Sequence, residues 1–126
     1  MKKNVAVLGA SNNPERYSYL AVKLLKEKGY NVLPISPKEK NILGISCISD
    51  LRGLIGNDIY TVTVYVNPQI SSSLSQELLN LHPKRVVFNP GSENAKLSQT
   101  LKDEGIEVIE ACTLVMLRAN TFEDLK

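Results

Sequence analysis

The residues best equipped for chemistry lie close together near the start of the chain. Residues 5–14 read VAVLGASNNP: a short apolar run ends at Gly9, a polar loop follows, and Arg16 and Ser18 come directly after it. A glycine that lets a ligand approach the backbone, with Ala10 beside it, suits close binding. Polar side chains at Ser11, Asn12 and Asn13 and the guanidinium of Arg16 suit an anion. Free N–H groups at a helix start, together with the positive end of the helix dipole, draw phosphate to such a turn. Of the G-x-G-x-x-G spacing that dinucleotide folds use, only Gly9 is kept, and Ser11 offers a hydroxyl at the second position.

Other reactive side chains are scattered. His82 is the single histidine and precedes Pro83 at the end of a predicted helix, which directs it to the edge of the sheet away from a ligand. Glu93 and Glu110 follow predicted strands toward the ligand edge, where a carboxylate can act as an acid or base. Charged residues in such turns are usually just solvated. One His and two distant cysteines, Cys47 and Cys112, make no zinc site. Neither a catalytic set nor a metal site is expected, and the sequence reads as a binding module rather than an enzyme.

These residues need a scaffold, and the chain alternates strand-like and helix-like segments almost throughout. Strands are expected at 4–8, 31–35, 60–66, 85–89 and 106–109, with a short candidate at 45–48 in the less regular stretch 38–57. Helices are expected over 18–28, from Pro68 to about residue 81, over 93–104, and in pieces over 113–126. Ser49 and Asp50 are placed to cap a brief helical turn, and Asn67-Pro68 supplies a cap and a first-turn proline. Strands alternating with helices at this spacing predict an α/β, Rossmann-like three-layer domain with a mostly parallel sheet of five or six strands. The expected strand order, 3-2-1-4-5, sets the turns after the strands at 4–8 and 60–66 side by side.

At 126 residues, 43% of them apolar, the chain fits one folded domain spanning 1–126. No apolar run approaches the roughly 20 residues needed to cross a bilayer. The opening MKKN leads straight into strand-like sequence, so no export signal is expected. Two cysteines make no disulfide framework, and a reducing cytoplasm is the expected setting. A net charge of +2 with dispersed basic residues argues against a nucleic-acid partner. No membrane partner is expected either, and the protein partner is left open.

The end of the second strand discriminates among nucleotides. NAD sites place an acid near there to hold the ribose diol. Here the residues are Ser36, Pro37 and Lys38, with no acid before Glu39. A lysine in that place suits a phosphorylated ribose, which leaves NADP and coenzyme A (CoA) as the candidates. An NADP-linked oxidoreductase, or a regulatory subunit that uses the nucleotide as an effector, stand as alternatives to a CoA binder.

Residues 9–19 (GASNNPERYSY) resemble the opening of small CoA-binding domain proteins, relatives of the N-terminal domain of succinyl-CoA synthetase alpha subunits. Further matches lie at 29–38 (GYNVLPISPK), 42–44 (ILG), 89–94 (NPGSEN) and 110–112 (EAC), so the similarity runs in order along nearly the whole chain. The resemblance implies a Rossmann-like domain binding CoA or acyl-CoA at the carboxyl edge of the sheet. Gly9, Ala10, Ser11, Asn12, Asn13 and Arg16 would face the phosphates. Ser36, Pro37 and Lys38 would face the phosphorylated adenosine. Val66, Asn67 and Pro68 would lie beside the pantetheine arm, with Pro90, Gly91 and Ser92 further along it. Two positions depart from the family pattern: Tyr17 stands where a proline is usual, and Val66 where an arginine often precedes the asparagine. Strands about 4.8 Å apart let an arm anchored at Gly9 reach roughly 14 Å across the edge, which brings the CoA thiol toward Cys112.

Overall fold

The computed structural model describes residues 2–123. Its centre is β1 (Asn4–Leu8), where Val5 and Val7 point to one face of a sheet and Ala6 and Leu8 to the other, all of them buried. Burial on both faces is what a continuous apolar run demands of a parallel strand. β2 (Asn31–Ile35) pairs with it on one side and β5 (Ile59–Val64) on the other, both parallel. β6 (Arg85–Phe88) and β7 (Glu107–Glu110) extend the sheet beyond β5, giving the order β2-β1-β5-β6-β7.

The expected third strand is almost absent. Residues 41–46 fold instead into a small antiparallel hairpin, β3 (Asn41–Ile42) with β4 (Ile45–Ser46). Leu43 and Gly44 at its tip both have positive φ (51° and 79°), as in the hairpin turns that match strand twist. Only Ile48 returns to the sheet, through a single parallel bridge to Ile35. The third position at the sheet edge is thus one residue long, and the expected order is otherwise kept.

Helices cover both faces, so the domain has three layers. On one face α1 (Tyr17–Glu27) and α5 (Thr113–Arg118) pack against each other. Their Val22, Leu25 and Leu117 join Val5 and Val7 in one core cluster. On the other face lie α2 (Pro68–Ser73), α3 (Ser75–Leu81) and α4 (Ala95–Asp103). There Leu78, Leu97 and Leu101 pack on Val62, Val64, Val86 and Phe88. Asp50 caps a 3-10 turn at Leu51–Leu54 by accepting from the Arg52 N–H. The expected helix over 113–126 ends at Arg118, and residues 124–126 lie outside the described residues.

The helix expected to run unbroken from Pro68 is interrupted at Leu74. The cause is local, since Ser73 and Ser75 hydroxyls donate to the carbonyls of Ile70 and Ser72 at 2.6 and 2.7 Å. The Asn94 amide meanwhile donates to the Ser71 and Ser72 hydroxyls, both at 2.9 Å. Serines that back-bond to the preceding turn compete with the helical ladder.

Arg85 closes the far edge of the sheet, only 3% exposed. Its guanidinium lies between the Tyr60 and Phe122 rings, 4.7 and 4.5 Å from their centroids, and its Nε donates to the Thr61 hydroxyl. Nearby, Glu123 pairs with Lys3 at 2.8 Å and accepts from the Tyr30 hydroxyl at 2.6 Å. His82 caps the end of α3 toward this same edge, with φ 49°.

Candidate functional site

All five strands of the sheet point their carboxyl ends to one edge. The chain leaves β1 through α1 on one face and leaves β5 through α2 on the other. The two turns therefore diverge and open a crevice between them, the general ligand position of open α/β sheets. The Tyr65 N–H donates to the Leu8 carbonyl at 2.9 Å, which carries the β1–β5 pairing up to the crevice floor. A Cβ built on Gly9 would stand 2.9 Å from Val66 Cγ1, so the two turns touch where the glycine is.

The crevice opens into a cleft of about 820 Å³. Of the residues singled out in the sequence, Gly9, Ala10, Ser11, Arg16, Ser36, Lys38, Val66, Asn67 and Pro90 line it. Asn12, Asn13, Pro37, Pro68, Gly91, Ser92 and Cys112 are not part of that lining. Their absence has local reasons. Asn12 reaches away to the Asn41 carbonyl, and the Asn13 side chain accepts from the Glu15 N–H. Ser92 is buried, its hydroxyl donating to the carbonyls of Val64 and Asn89. The Gly91 N–H is taken by the Glu93 carboxylate.

Six lining residues escaped the sequence reading: Glu15, Tyr17, Ser18, Glu39, Tyr65 and Ile70. Tyr17 and Ile70 are exposed apolar side chains, 70% and 45% accessible, on the first turns of α1 and α2. Tyr65 follows Thr61 and Thr63 at the two-residue spacing of one sheet face, which was the available signal.

The loop after β1 is less open to anions than its sequence implies. The N–H groups of Gly9 and Ala10 both donate to the Ile35 carbonyl, at 3.2 and 3.0 Å. The Asn13 N–H donates to the Ser11 hydroxyl oxygen. The Asn12 N–H donates to a Glu39 carboxylate oxygen at 3.0 Å. What stays open is the start of α1, because its N-cap, Arg16, makes no capping hydrogen bond with its side chain. Ser11 and Ser36 keep their hydroxyl protons free to donate, since each hydroxyl oxygen here accepts from backbone: Ser36 from the N–H of Lys38 and of Glu39.

Glu39 is the main electrostatic correction. Read along the sequence it lies past the second strand, yet the Ser36 turn swings it back onto the loop where phosphate is expected. A carboxylate on that N–H competes with any anionic ligand. Glu39→Gln is expected to tighten binding of CoA by roughly 3- to 10-fold, the worth of one charged competitor near a partly exposed site. Calorimetry on both proteins checks this, and unchanged or weaker binding by the variant counts against competition at this N–H.

Behind the cleft sits a polar cluster tied by Asn89. Its side-chain amide donates to the Thr63 hydroxyl at 2.7 Å and the Val64 carbonyl at 2.9 Å, and its oxygen accepts from the Thr113 N–H at 2.8 Å. One side chain therefore joins the ends of β5 and β6 to the start of α5. The Thr63 and Thr113 hydroxyls bond each other at 2.7 Å. Tyr65 stands beside them and near Cys112, and burial pushes its phenol up to about 12.

A parallel α/β sheet with its cleft at the switch between diverging turns defines a Rossmann-like nucleotide-binding domain. The profile of one such family, described as CoA binding domain, matches residues 3–118, and the chain belongs to it. A curated relative is the uncharacterized protein YneT of Bacillus subtilis (strain 168), 29% identical over 107 residues that make up 85% of this chain and 78% of the relative. A solved crystal structure of an uncharacterized protein is 43% identical, with a TM-score of 0.89 over 97% of this chain and 99% of that one. The fold also recurs in a dinucleotide forming acetyl-coenzyme A synthetase 1 from Ca. Korarchaeum cryptofilum, at TM-score 0.73 and 18% identity, over 86% of this chain and 25% of the synthetase. No helix among the described residues is long and apolar enough to cross a membrane.

Proposed function

We propose that residues 1–126 act as one unit that binds CoA or acyl-CoA in this cleft, and that the protein is a binding module rather than an enzyme. The observation that carries the reading is the cleft's division into two ends. Ser11, Arg16, Ser36 and Lys38 line the end toward β1 and β2, while Val66, Ile70 and Pro90 line the end toward β5 and β6. CoA has the matching division, a phosphorylated nucleotide joined to a long, weakly polar pantetheine arm. Membership of the CoA binding domain family supports the same ligand. Two free cysteines, Cys47 and Cys112, accord with a cytoplasmic setting.

Lys38 is the group that separates CoA from its close analogues. It is exposed and lines the cleft two residues after Ser36, whose hydroxyl oxygen accepts its N–H. A phosphate on the adenosine ribose would pair with its ammonium, a contact that solvent screening holds to about 1 kcal/mol. CoA is therefore expected to bind roughly 5-fold tighter than dephospho-CoA at low salt, with the ratio shrinking as salt rises. Lys38→Ala should bring the ratio to near unity. Titration calorimetry of both ligands, with NADP and NAD as further arms, is the test. Equal affinity for CoA and dephospho-CoA, or tighter binding of NADP than CoA, would displace this reading.

A further inference from the structure

Tyr65 has a role that neither the family resemblance nor the sequence assigns. Its ring lines the cleft at the pantetheine end, beside Val66 and near Pro90. Its hydroxyl oxygen is shut off from solvent and has no hydrogen-bond partner among the described residues. The polar groups around it are already engaged. Thr63 and Thr113 share a 2.7 Å hydrogen bond, and the Asn89 amide holds the Thr63 hydroxyl and the Thr113 N–H.

We propose that the cleft is built for the acyl thioester of CoA rather than the free thiol, with the Tyr65 hydroxyl donating to the thioester carbonyl. The inference rests on the CoA-binding reading and deepens it. A buried hydroxyl left without a partner is costly, and phenylalanine would fill the same space without that cost. The cost is recovered when a ligand brings an acceptor. Because the hydroxyl makes no hydrogen bond in this structure, turning the ring toward the cleft sacrifices none. The group offered is a neutral O–H donor, since burial keeps the phenol protonated. A thioester carbonyl is an acceptor only and complements it. A free thiol is a weak donor and a weak acceptor and does so poorly. The pantetheine amide carbonyls are acceptors too, but CoA and its thioesters share them, so the choice of ligands can tell the two apart.

The experiment is calorimetric titration of wild type and Tyr65→Phe with three ligands. These are CoA, acetyl-CoA, and S-ethyl-CoA, a thioether with a CH2 where acetyl-CoA has its carbonyl. Wild type is expected to bind acetyl-CoA roughly 5-fold tighter than S-ethyl-CoA, the worth of one hydrogen bond. In Tyr65→Phe the two should become equal through loss of acetyl-CoA affinity alone, with the melting temperature unchanged or raised. Equal binding of acetyl-CoA and S-ethyl-CoA by wild type overturns the inference without any variant. An equal loss for all three ligands in Tyr65→Phe also overturns it, because the partner is then the pantetheine arm. In either case CoA still binds and the broader reading stands. Should wild type bind none of the three, the CoA reading itself falls and this inference falls with it.

Discussion

Ser11→Glu is expected to weaken CoA binding at least roughly 100-fold while the protein stays folded. Ser11 is half-buried at the cleft end where α1 begins without a side-chain cap, and the Glu39 carboxylate already sits on the neighbouring Asn12 N–H. A second carboxylate would face the same pyrophosphate. Two unit charges about 4 Å apart interact by about 4 kcal/mol at the effective dielectric of a protein surface, and a pyrophosphate carries more than one charge. Even after salt screening, the repulsion exceeds the roughly 2.7 kcal/mol that 100-fold requires. The cost to the fold is the lost bond from the Asn13 N–H, about 1 kcal/mol. Ser11→Ala serves as control, losing that bond without adding charge, and should bind CoA within roughly 10-fold of wild type. Circular dichroism and a CoA titration on both variants check the result, and full-strength binding by Ser11→Glu would move the phosphates elsewhere.

Gly9→Ala is expected to lower the unfolding free energy by about 2–4 kcal/mol, and Gly9→Val by more. Gly9 holds φ at +91°, where a side chain is strained, at a cost of about 1–2 kcal/mol. Its added Cβ would also stand 2.9 Å from Val66 Cγ1 and 3.3 Å from the Tyr65 carbonyl carbon. Val66 can yield, but the backbone at Tyr65 is pinned by its N–H bond to Leu8. From sequence alone Gly9 reads as a position kept clear for the ligand, so that a bulky substitution would harm binding and spare the fold. The structure corrects this, because the glycine also lets the turns after β1 and β5 touch. Urea denaturation of Gly9→Ala, Val66→Ala and the double variant tests it. A Gly9→Ala cost that is no smaller in the Val66→Ala background would show that crowding at Val66 plays no part.

How much of the molecule the sequence reveals depends on how local its causes are. β1 and β2 are legible to the residue, because apolar runs bounded by glycine, serine and proline leave little choice of ends. Asn67-Pro68 announces the start of α2 for the same reason, and the Asn67 side chain does accept from the Ile70 N–H. The third strand is misread because its fate rests on positive φ at Leu43, which a leucine gives no hint of. In the site, nine of the sixteen expected residues line the cleft. The others are taken up by partners elsewhere in the fold, such as Asn12 by Asn41 and Ser92 by Val64. Glu39 and Tyr65 escape because both reach the cleft through tertiary geometry, the one by a turn at Ser36 and the other through the β5 face.

The placement of β1 between β2 and β5 also sets the order in which the molecule is made. As the chain is synthesised, Asn4 can meet Asn31 early, but its other partner, Ile59, emerges only after the hairpin and the 3-10 turn. The longer loop costs more entropy to close, so the central pairing of the sheet is among the slower steps. The two turns that form the cleft meet only at that step. A ligand in the cleft therefore has no hold on the early chain. It stabilises the domain only once β5 has docked, and it acts as a lock on a finished fold rather than as a guide to folding.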